Sequence, residues 1–268
     1  MDLLKNLELK NGEFINLKNY CDKKRILFLS TPHSYNAIDF LDDLVPAFKF
    51  GSGDLTNLPA LKHGAKKNKP IIIGTGMSTI KELKKAIRII KACGNKRIVA
   101  LHCTTRYPCP YSEVNMNAMK IMQKELDCMI GYSDHTMGIT VPIMAASLGA
   151  VIIEKHFTLD RKMIGPDHKA SLEPDEFKKM VDEIRNAEKA LGSFEKKPTD
   201  SEKKIMKNIR KSIIANKNIR KGQILKKDMI CIKRPGNGIP PEEFYKIIGK
   251  KVNKNIQKDK VILKEDIW

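Results

Sequence analysis

Short apolar runs alternate with longer stretches of helical periodicity through the first two-thirds of the chain. The runs that resemble buried strands are residues 25–30, 47–50, 70–73, 97–102, 128–131 and 151–153. Unbroken apolar strands that alternate with helices are typical of a parallel sheet covered on both faces. The pattern therefore predicts an α/β fold with six parallel strands.

The segments between the runs carry apolar residues at helical spacing. One face of the segment after Thr79 presents Ile80, Leu83, Ile87 and Ile90, and Thr79 with Glu82 predicts a capping box at its start. Residues 2–21 and 141–150 are also predicted to be helical.

Six strands leave two architectures open. A closed (β/α)₈ barrel needs eight strands and typically ~250 residues, whereas the alternating pattern ends here near Leu191. The region is therefore either an open α/β sheet or a TIM-type barrel that lacks its first strand, helix and strand. An unclosed barrel would leave two strand edges unpaired.

The pattern changes near residues 196–200, which predicts a domain boundary. We expect a barrel-like domain over 1–195, a linker over 196–210 and a small β-rich domain over 211–268, with apolar runs at 211–215, 230–232 and 261–263. Within the last domain, Arg234 sits in the sequence KRPGNG, a turn rich in Gly and Pro that presents a side chain rather than packs it.

Composition narrows the class of protein. Hydrophobic residues make up 41% of the chain and charged residues 30%, as in ordinary globular proteins. No apolar stretch approaches the ~20 residues of a membrane span, and the start lacks the layout of a signal peptide. The six cysteines form no CxxC pair, which indicates free thiols and a reducing cytoplasm.

The formal net charge of +19 raises the question of nucleic-acid binding. The lysines, however, are spread through helices beside glutamates, and few aromatic residues lie among them. This distribution argues against a nucleic-acid interface. It favours attraction of small anionic substrates, or simply a Lys-rich proteome.

Two histidines, His135 and His156, stand at the ends of consecutive apolar runs separated by a segment of helical length. A strand, helix, strand unit makes its two strands parallel neighbours that end at one edge of the sheet. Imidazoles at that edge could share a divalent ion that keeps open positions for substrate. Alternatively, each histidine finishes its strand with a hydrogen bond, and the residues alone leave both interpretations open.

These histidines belong to a series of motifs in which the chain resembles the sialic acid synthase family. The motifs are FLSTP at 28–32, FKFGSG at 48–53, TGMS at 75–78, LHCT at 101–104, YP at 107–108, GYSDHT at 131–136, EKHFT at 154–158, GPDH at 165–168 and KRPGNG at 233–238. The resemblance implies a transferase that forms a C–C bond between phosphoenolpyruvate and an N-acylated amino sugar aldehyde of the N-acetylmannosamine type. The products would be a nonulosonic acid and phosphate.

The resemblance also implies an architecture and roles for residues. Family members have a (β/α)₈ barrel followed by a small antifreeze-like (SAF) domain, which covers the barrel mouth of the partner in a domain-swapped homodimer. The metal, Mn²⁺ or Mg²⁺, would be bound by His135 and His156. Phosphoenolpyruvate would be held by Lys49, Ser52, Thr31 and Ser133, with Thr105 as a further substrate-binding residue. Tyr107 and Asp167 would face the sugar, and Arg234 would reach the site from the other subunit.

The residue types suit this chemistry. A metal ion stabilises the alkoxide that forms when the aldehyde is attacked, and a phosphoester needs a lysine and hydroxyl or amide donors. Lys49 inside an apolar strand is costly unless it is paired. Other interpretations stay open: Ser52 and Thr31 could cap helices, Tyr107 could pack, and Asp167 could be a turn residue.

Three departures from the family pattern bear on activity. The family's N-terminal segment carries a glutamate for acid/base chemistry that has no counterpart here, Gly74 stands where many members have serine, and Thr105 where Asn or Ser is common. Loss of a general acid/base group typically costs ~10² to 10⁴ in rate, so the 268-residue chain is predicted to be a poor catalyst. The alternative function is a catalytically inactive homologue that binds metal or phosphoenolpyruvate, or serves as a partner subunit.

Overall fold

A five-stranded parallel sheet organises the N-terminal unit of the computed structural model, which describes residues 8–268. The strands are β1 (Phe48–Phe50), β2 (Ile71–Gly74), β3 (Ile98–His102), β4 (Met129–Asp134) and β5 (Ile153–Lys155). They lie side by side in sequence order, and every neighbouring pair is parallel. The prediction of a parallel α/β fold is confirmed.

Helices connect and flank these strands. They are α1 (Asn11–Lys24), α2 (Tyr35–Asp42), α3 (Leu58–Lys66), α4 (Ile80–Ala92), α5 (Asn117–Glu125), α6 (Thr140–Ser147) and α7 (Pro174–Leu191). The capping box at the start of α4 is confirmed, because Thr79 and Glu82 each accept a backbone N–H of the other. The predicted helix 2–21 lies outside the described residues over 2–7, and α1 continues to Lys24.

Alternation along the strands separates two faces of the sheet. Side chains such as Phe48, Ile71 and Ile98 point towards the helices and form the main core. Their neighbours in sequence point the other way, where Ile72, Val99 and Leu101 form a smaller apolar cluster. Because successive residues of a strand face opposite sides, a strand buried on both faces reads as one continuous apolar run.

The strand predicted at 25–30 is wrong. In the described residues this segment pairs with no strand, and the side chains of Ile26 and Leu27 are 63% and 77% exposed. A strand requires a neighbour that completes its ladder of backbone hydrogen bonds, and apolar composition alone does not supply one. The sheet in the described part of the chain therefore has five strands instead of six.

The chain divides into units 1–192 and 193–268, and the second has its own core. It contains α8 (Asp200–Ile209), β6 (Ser212–Ala215), β7 (Ile230–Lys233) and α9 (Phe244–Ile247). Strands β6 and β7 pair antiparallel, and the run predicted at 261–263 contributes a single antiparallel bridge, from Val261 to Ile214. Helix α8 occupies most of the predicted linker, and its Lys207 carbonyl accepts the Gly236 N–H at 2.7 Å.

Two predictions from composition concern the whole chain. Within residues 8–268, no helix is long and apolar enough to cross a membrane. All six cysteines are free thiols in the structure, as expected from their spacing.

Candidate functional site

The register of β4 and β5 brings polar side chains together at the carboxyl edge of the sheet. Ser133 pairs with Glu154 across the two strands, and the two histidines follow two residues later on each chain segment. This spacing puts all of them on the inner face, the one lined by Ile72, Val99 and Leu101. The imidazole ring centres of His135 and His156 are 5.3 Å apart, with their planes inclined at 71°.

Backbone contacts hold His135 in one orientation. Its Nδ1 lies 2.6 Å from the Thr104 carbonyl, and its own carbonyl accepts the Cys109 N–H at 2.8 Å. A carbonyl oxygen can only accept, so Nδ1 carries the proton and the Nε2 lone pair is left for a ligand. Burial lowers the pKa of His135, although the hydrogen bond to the Thr104 carbonyl acts in the opposite direction. The lowered pKa favours the neutral imidazole, which is the form that binds metals.

Tyr107 closes a triangle of rings with the two histidines. Its ring centre lies 4.2 Å from that of His135 and 5.3 Å from that of His156, and the residue is 42% exposed. Partial burial raises the pKa of the Tyr107 phenol, so the hydroxyl stays protonated and can donate a hydrogen bond. Asp167 lies beside this group, with Oδ2 3.9 Å from His156 Nδ1, beyond hydrogen-bond length.

A second group of polar side chains on the inner face comes from three strands, with Lys49 on β1, Ser133 on β4 and Glu154 on β5. Lys49 Nζ lies 3.2 Å from Glu154 Oε1, and the Ser133 hydroxyl donates to the same oxygen at 2.7 Å. The ion pair with Glu154 offsets the desolvation free energy of placing the Lys49 ammonium group in an apolar strand. Glu154 is not among the predicted site residues, although its position two residues before His156 puts both side chains on the same face.

The outer face of the same strand ends carries a buried ion pair that was also missed. Lys155 Nζ lies 2.6 Å from Asp134 Oδ2, and both side chains are fully buried. The carboxylate also accepts the Tyr132 hydroxyl and both the N–H and the hydroxyl of Thr136, each at 3.1 Å. Lys155 and Thr136 are further joined through the Thr136 carbonyl. This network fixes the backbone on both sides of His135. The sequence signal for this pair was an acidic residue in the middle of SDH and a basic residue in the middle of EKH.

Ser52 belongs to a packed group where β1, β2 and β3 end. Its hydroxyl accepts the Gly76 N–H at 3.0 Å and lies 3.2 Å from Cys103 Sγ. The next helix, α3, is capped by Asn57, which accepts the Ala60 N–H, and within residues 8–268 the Ser52 hydroxyl bonds only to Gly76 and Cys103, so the capping alternative is wrong for this residue. Thr105 is close enough to Gly76 that a Cβ there would lie 2.1 Å from Thr105 Oγ1. A Cβ at Gly74 would lie 2.8 Å from Ser52 Oγ, so glycine at 74 and this Ser52 position go together.

Two predicted site residues are not brought into these groups by described contacts. Thr31 lines a cleft beside α1 and α2 with Phe14 and Phe40, and no hydrogen bond or ion pair among residues 8–268 joins it to Lys49 or Ser133. Capping of α2 falls to Ser34, which accepts the Ala37 N–H, so the capping alternative for Thr31 is wrong as well. Arg234 belongs to the second unit, where it is exposed.

The donor set can be tested against a divalent metal. No group of three or more His, Cys, Asp or Glu side chains in residues 8–268 is arranged to hold an ion. His135 and His156 place two imidazole rings, 5.3 Å apart at their centres, on neighbouring strand ends. Two donors do not make a closed structural site, but they fit an exchangeable ion that completes its coordination with substrate oxygens and water.

Comparisons with known proteins find matches to both parts of the chain. The model of the NeuB family matches residues 1–196, and that of the SAF domain matches residues 210–267. An uncharacterized protein of Methanocaldococcus jannaschii is 46% identical over 267 residues, covering 99% of this chain and 79% of that one. The N,N'-diacetyllegionaminic acid synthase of Campylobacter jejuni is 44% identical over 98% of this chain and 79% of its own length.

A solved structure gives the corresponding likeness in three dimensions. The N-acetylneuraminic acid synthetase of Leptospira borgpetersenii, in complex with citrate, superposes with a TM-score of 0.72 at 34% identity. The match covers 76% of this chain and 71% of that one.

Proposed function

The chain belongs to the NeuB family, and on that premise we propose that it condenses phosphoenolpyruvate with an N-acylated amino sugar aldehyde to give a nonulosonic acid and phosphate. The resemblance to the sialic acid synthase family is confirmed by the match over 1–196 and by the SAF domain at 210–267. Relatives named as synthases of legionaminic, pseudaminic and N-acetylneuraminic-type acids support a nine-carbon sugar acid as product.

One observation carries the proposal: two histidine rings, a phenol and a lysine lie on the inner face near the carboxyl ends of the strands. The His135–His156–Tyr107 triangle and the Lys49–Ser133 pair are linked through β5, which bears both His156 and Glu154. A site for an anion therefore lies next to a site for a polarised carbonyl, as joining the two substrates requires.

The anion half of the site suits phosphoenolpyruvate. Lys49 supplies a positive charge, and the Ser133 hydroxyl supplies a donor. Ser52 and Thr105 stand at the neighbouring strand ends, and we assign them to the same substrate together with Thr31. These groups would orient the enol carbon towards the aldehyde and hold the phosphate until it leaves.

The aldehyde half of the site suits an acylated amino sugar. Tyr107 remains a protonated phenol and can donate to a sugar oxygen, while Asp167 can accept a sugar hydroxyl. His135 and His156 would hold Mn²⁺ or Mg²⁺, which supplies Lewis-acid stabilisation of the oxygen that becomes negative. His135 suits this role because its Nδ1–H donates to the Thr104 carbonyl, which leaves the Nε2 lone pair for the metal.

The SAF domain would complete the site in a homodimer. Arg234 is exposed in a loop with Pro235 and Gly236, and a guanidinium stays charged under all ordinary conditions. We propose that it covers the site of the partner subunit and helps to exclude water. The parallel sheet of the first unit supports assignment of that unit to a (β/α)₈-type architecture, because the Lys49–Glu154 ion pair joins its two outermost strands, β1 and β5, across the inner face.

The direct test is release of phosphate from phosphoenolpyruvate in the presence of Mn²⁺ and an N-acylated amino sugar. N-Acetylmannosamine and a diacetylated amino sugar should be compared, since relatives are named for N-acetylneuraminate 9-phosphate and for N,N'-diacetyllegionaminic acid. Release that depends on the sugar and is abolished by His135→Ala would support the proposal. Phosphoenolpyruvate binding without release under any of these conditions would support a binding or partner subunit instead.

A further inference from the structure

Lys49 and Ser133 are both bound to a carboxylate of the chain. They are also two of the groups that bind the phosphoenolpyruvate anion in the proposed function. Glu154 Oε1 lies 3.2 Å from Lys49 Nζ and accepts the Ser133 hydroxyl at 2.7 Å. Both donors converge on one oxygen atom. Glu154 thus takes the position that an oxygen of an anionic ligand would take.

The surroundings of Lys49 explain why its ammonium group needs a negatively charged partner. Lys49 is 18% exposed at its side chain, and the inner face next to it is lined by Ile72 and Val99. An ammonium group with little water around it is unfavourable unless an opposite charge is close. Glu154 supplies that charge from the far edge of the sheet.

An incoming anion and Glu154 cannot share these donors without cost. Two negative charges within a few ångströms repel each other, and the repulsion is stronger where water is partly excluded. The Glu154 side chain is 36% exposed and therefore has room to turn away. Lys49 would pair with Glu154 before the anion binds and with the anion afterwards.

We propose that Glu154 is a built-in counter-ion that binds Lys49 and Ser133 until phosphoenolpyruvate displaces it. Naming phosphoenolpyruvate rests on the proposed function, whereas the competition for Lys49 rests on the contacts alone. The displaced carboxylate stays on the inner face of β5, two residues before His156. Glu154 therefore lowers the affinity for anions in general, and a ligand must replace both of its contacts to bind well.

Anion binding to matched variants tests this directly. Calorimetric titrations with phosphoenolpyruvate and with inorganic phosphate, at fixed pH and ionic strength, would compare the unaltered chain with Glu154→Gln and Glu125→Gln. Glutamine keeps the size of the side chain and can still accept from Ser133, but it leaves Lys49 without a counter-charge. Glu125 forms an exposed pair with Lys84 on the helical layer, so its replacement removes one charge away from the site.

We expect Glu154→Gln to bind both anions about tenfold more tightly or better, on the scale of coupling between close charge pairs. Glu125→Gln should bind them as the unaltered chain does. Equal or weaker anion binding by Glu154→Gln would overturn the inference. A structure of the unaltered chain with phosphoenolpyruvate or phosphate gives a second measurement that needs no variant: Glu154 should lie more than ~4 Å from Lys49 Nζ, beyond salt-bridge distance. A pair that persists beside the bound anion would refute displacement.

The outcomes separate the two proposals. Tighter phosphate binding by Glu154→Gln without any turnover of phosphoenolpyruvate would support the counter-ion and count against the proposed function. Turnover by the unaltered chain, together with unchanged anion affinity in Glu154→Gln, would do the reverse. If no form of the protein bound either anion, both proposals would fail.

Discussion

Lys49 on β1 and Glu154 on β5 form an ion pair of 3.2 Å, although these strands are the two edges of a five-stranded sheet. Neighbouring strands lie about 4.8 Å apart, so four intervals would separate the two backbones by roughly 19 Å in a flat sheet. Two side chains cannot bridge that distance. The sheet must therefore curve strongly, which makes its inner face concave and directs the inner side chains of every strand end towards a common centre.

The proximity of His135 and His156 leads to a prediction about metal binding. His135→Ala and His156→Ala should each weaken Mn²⁺ binding by about tenfold or more, since each would remove one of the two proposed protein donors. His63→Ala is the control, because His63 pairs with Asp39 on an exposed surface. Titration of free Mn²⁺ followed by electron paramagnetic resonance would measure all three. Undiminished Mn²⁺ binding by both site variants would rule out these residues as ligands.

The buried Asp134–Lys155 pair leads to a prediction about stability. Lys155→Met should lower the free energy of unfolding by ~3–5 kcal/mol, because it leaves the Asp134 carboxylate buried without a counter-charge. Adding Asp134→Asn removes that charge, keeps the neighbours of the side chain, and should restore more than half of the loss. Urea denaturation gives both values. A cost below ~1 kcal/mol for Lys155→Met, within the range of ordinary surface changes, would show that the pair is unimportant.

His102 leads to a prediction about pH. Its ring is buried on the outer face of β3, 2.8 Å from the Val114 carbonyl, and burial lowers the pKa of His102 below its ordinary value of 6.5, against the effect of that carbonyl. The unfolded chain therefore takes up a proton at His102 more readily than the folded one. Its contribution to stability is complete above pH 6.5 and is lost as the pH falls from 6.5 towards the lower folded-state pKa.

The measurement compares the unaltered chain with His102→Gln, which can donate to Val114 but does not titrate. Below pH 6.5 the unaltered chain should lose up to ~1.4 kcal/mol per pH unit relative to the variant. Other titrating groups cancel in the difference. Parallel stability curves for the two proteins between pH 7.5 and 5 would contradict the assignment.

Arg234 leads to a prediction about subunit exchange. If the SAF domain of one subunit covers the site of its partner, as proposed, Arg234→Ala and His135→Ala should each weaken catalysis. Mixing the two variants should then regenerate partial activity, because some hybrid dimers contain one complete site. Phosphate release after denaturation and joint refolding would measure this, with Arg220→Ala, another change in the second unit, as the control for general effects on that unit. If hybrid dimers form and no activity returns, the arginine acts within its own chain.

Comparison of the runs 25–30 and 70–73 indicates how far local pattern predicts this fold. Both are short and apolar, yet 70–73 becomes the buried strand β2 and 25–30 pairs with nothing in the described residues. The difference is the presence of neighbours: β2 is hydrogen-bonded to β1 and to β3, while the earlier run has no such ladder. The apolar composition of a segment indicates that it can be buried in a sheet, but it does not indicate whether neighbouring strands are available to pair with it.

The sequence by itself determined the parallel α/β class, the family with its SAF domain, and the placement of His135 and His156 at the ends of neighbouring strands, while their roles stay predictions. These follow from local periodicity, from motifs and from the fixed hand of a strand, helix, strand unit. Only the tertiary structure decided that Glu154 meets Lys49 and that Asp134 meets Lys155. The first contact depends on curvature accumulated over five strands, and the second on register between β4 and β5. Both are set by the packing of residues far apart in the chain, which no local pattern contains.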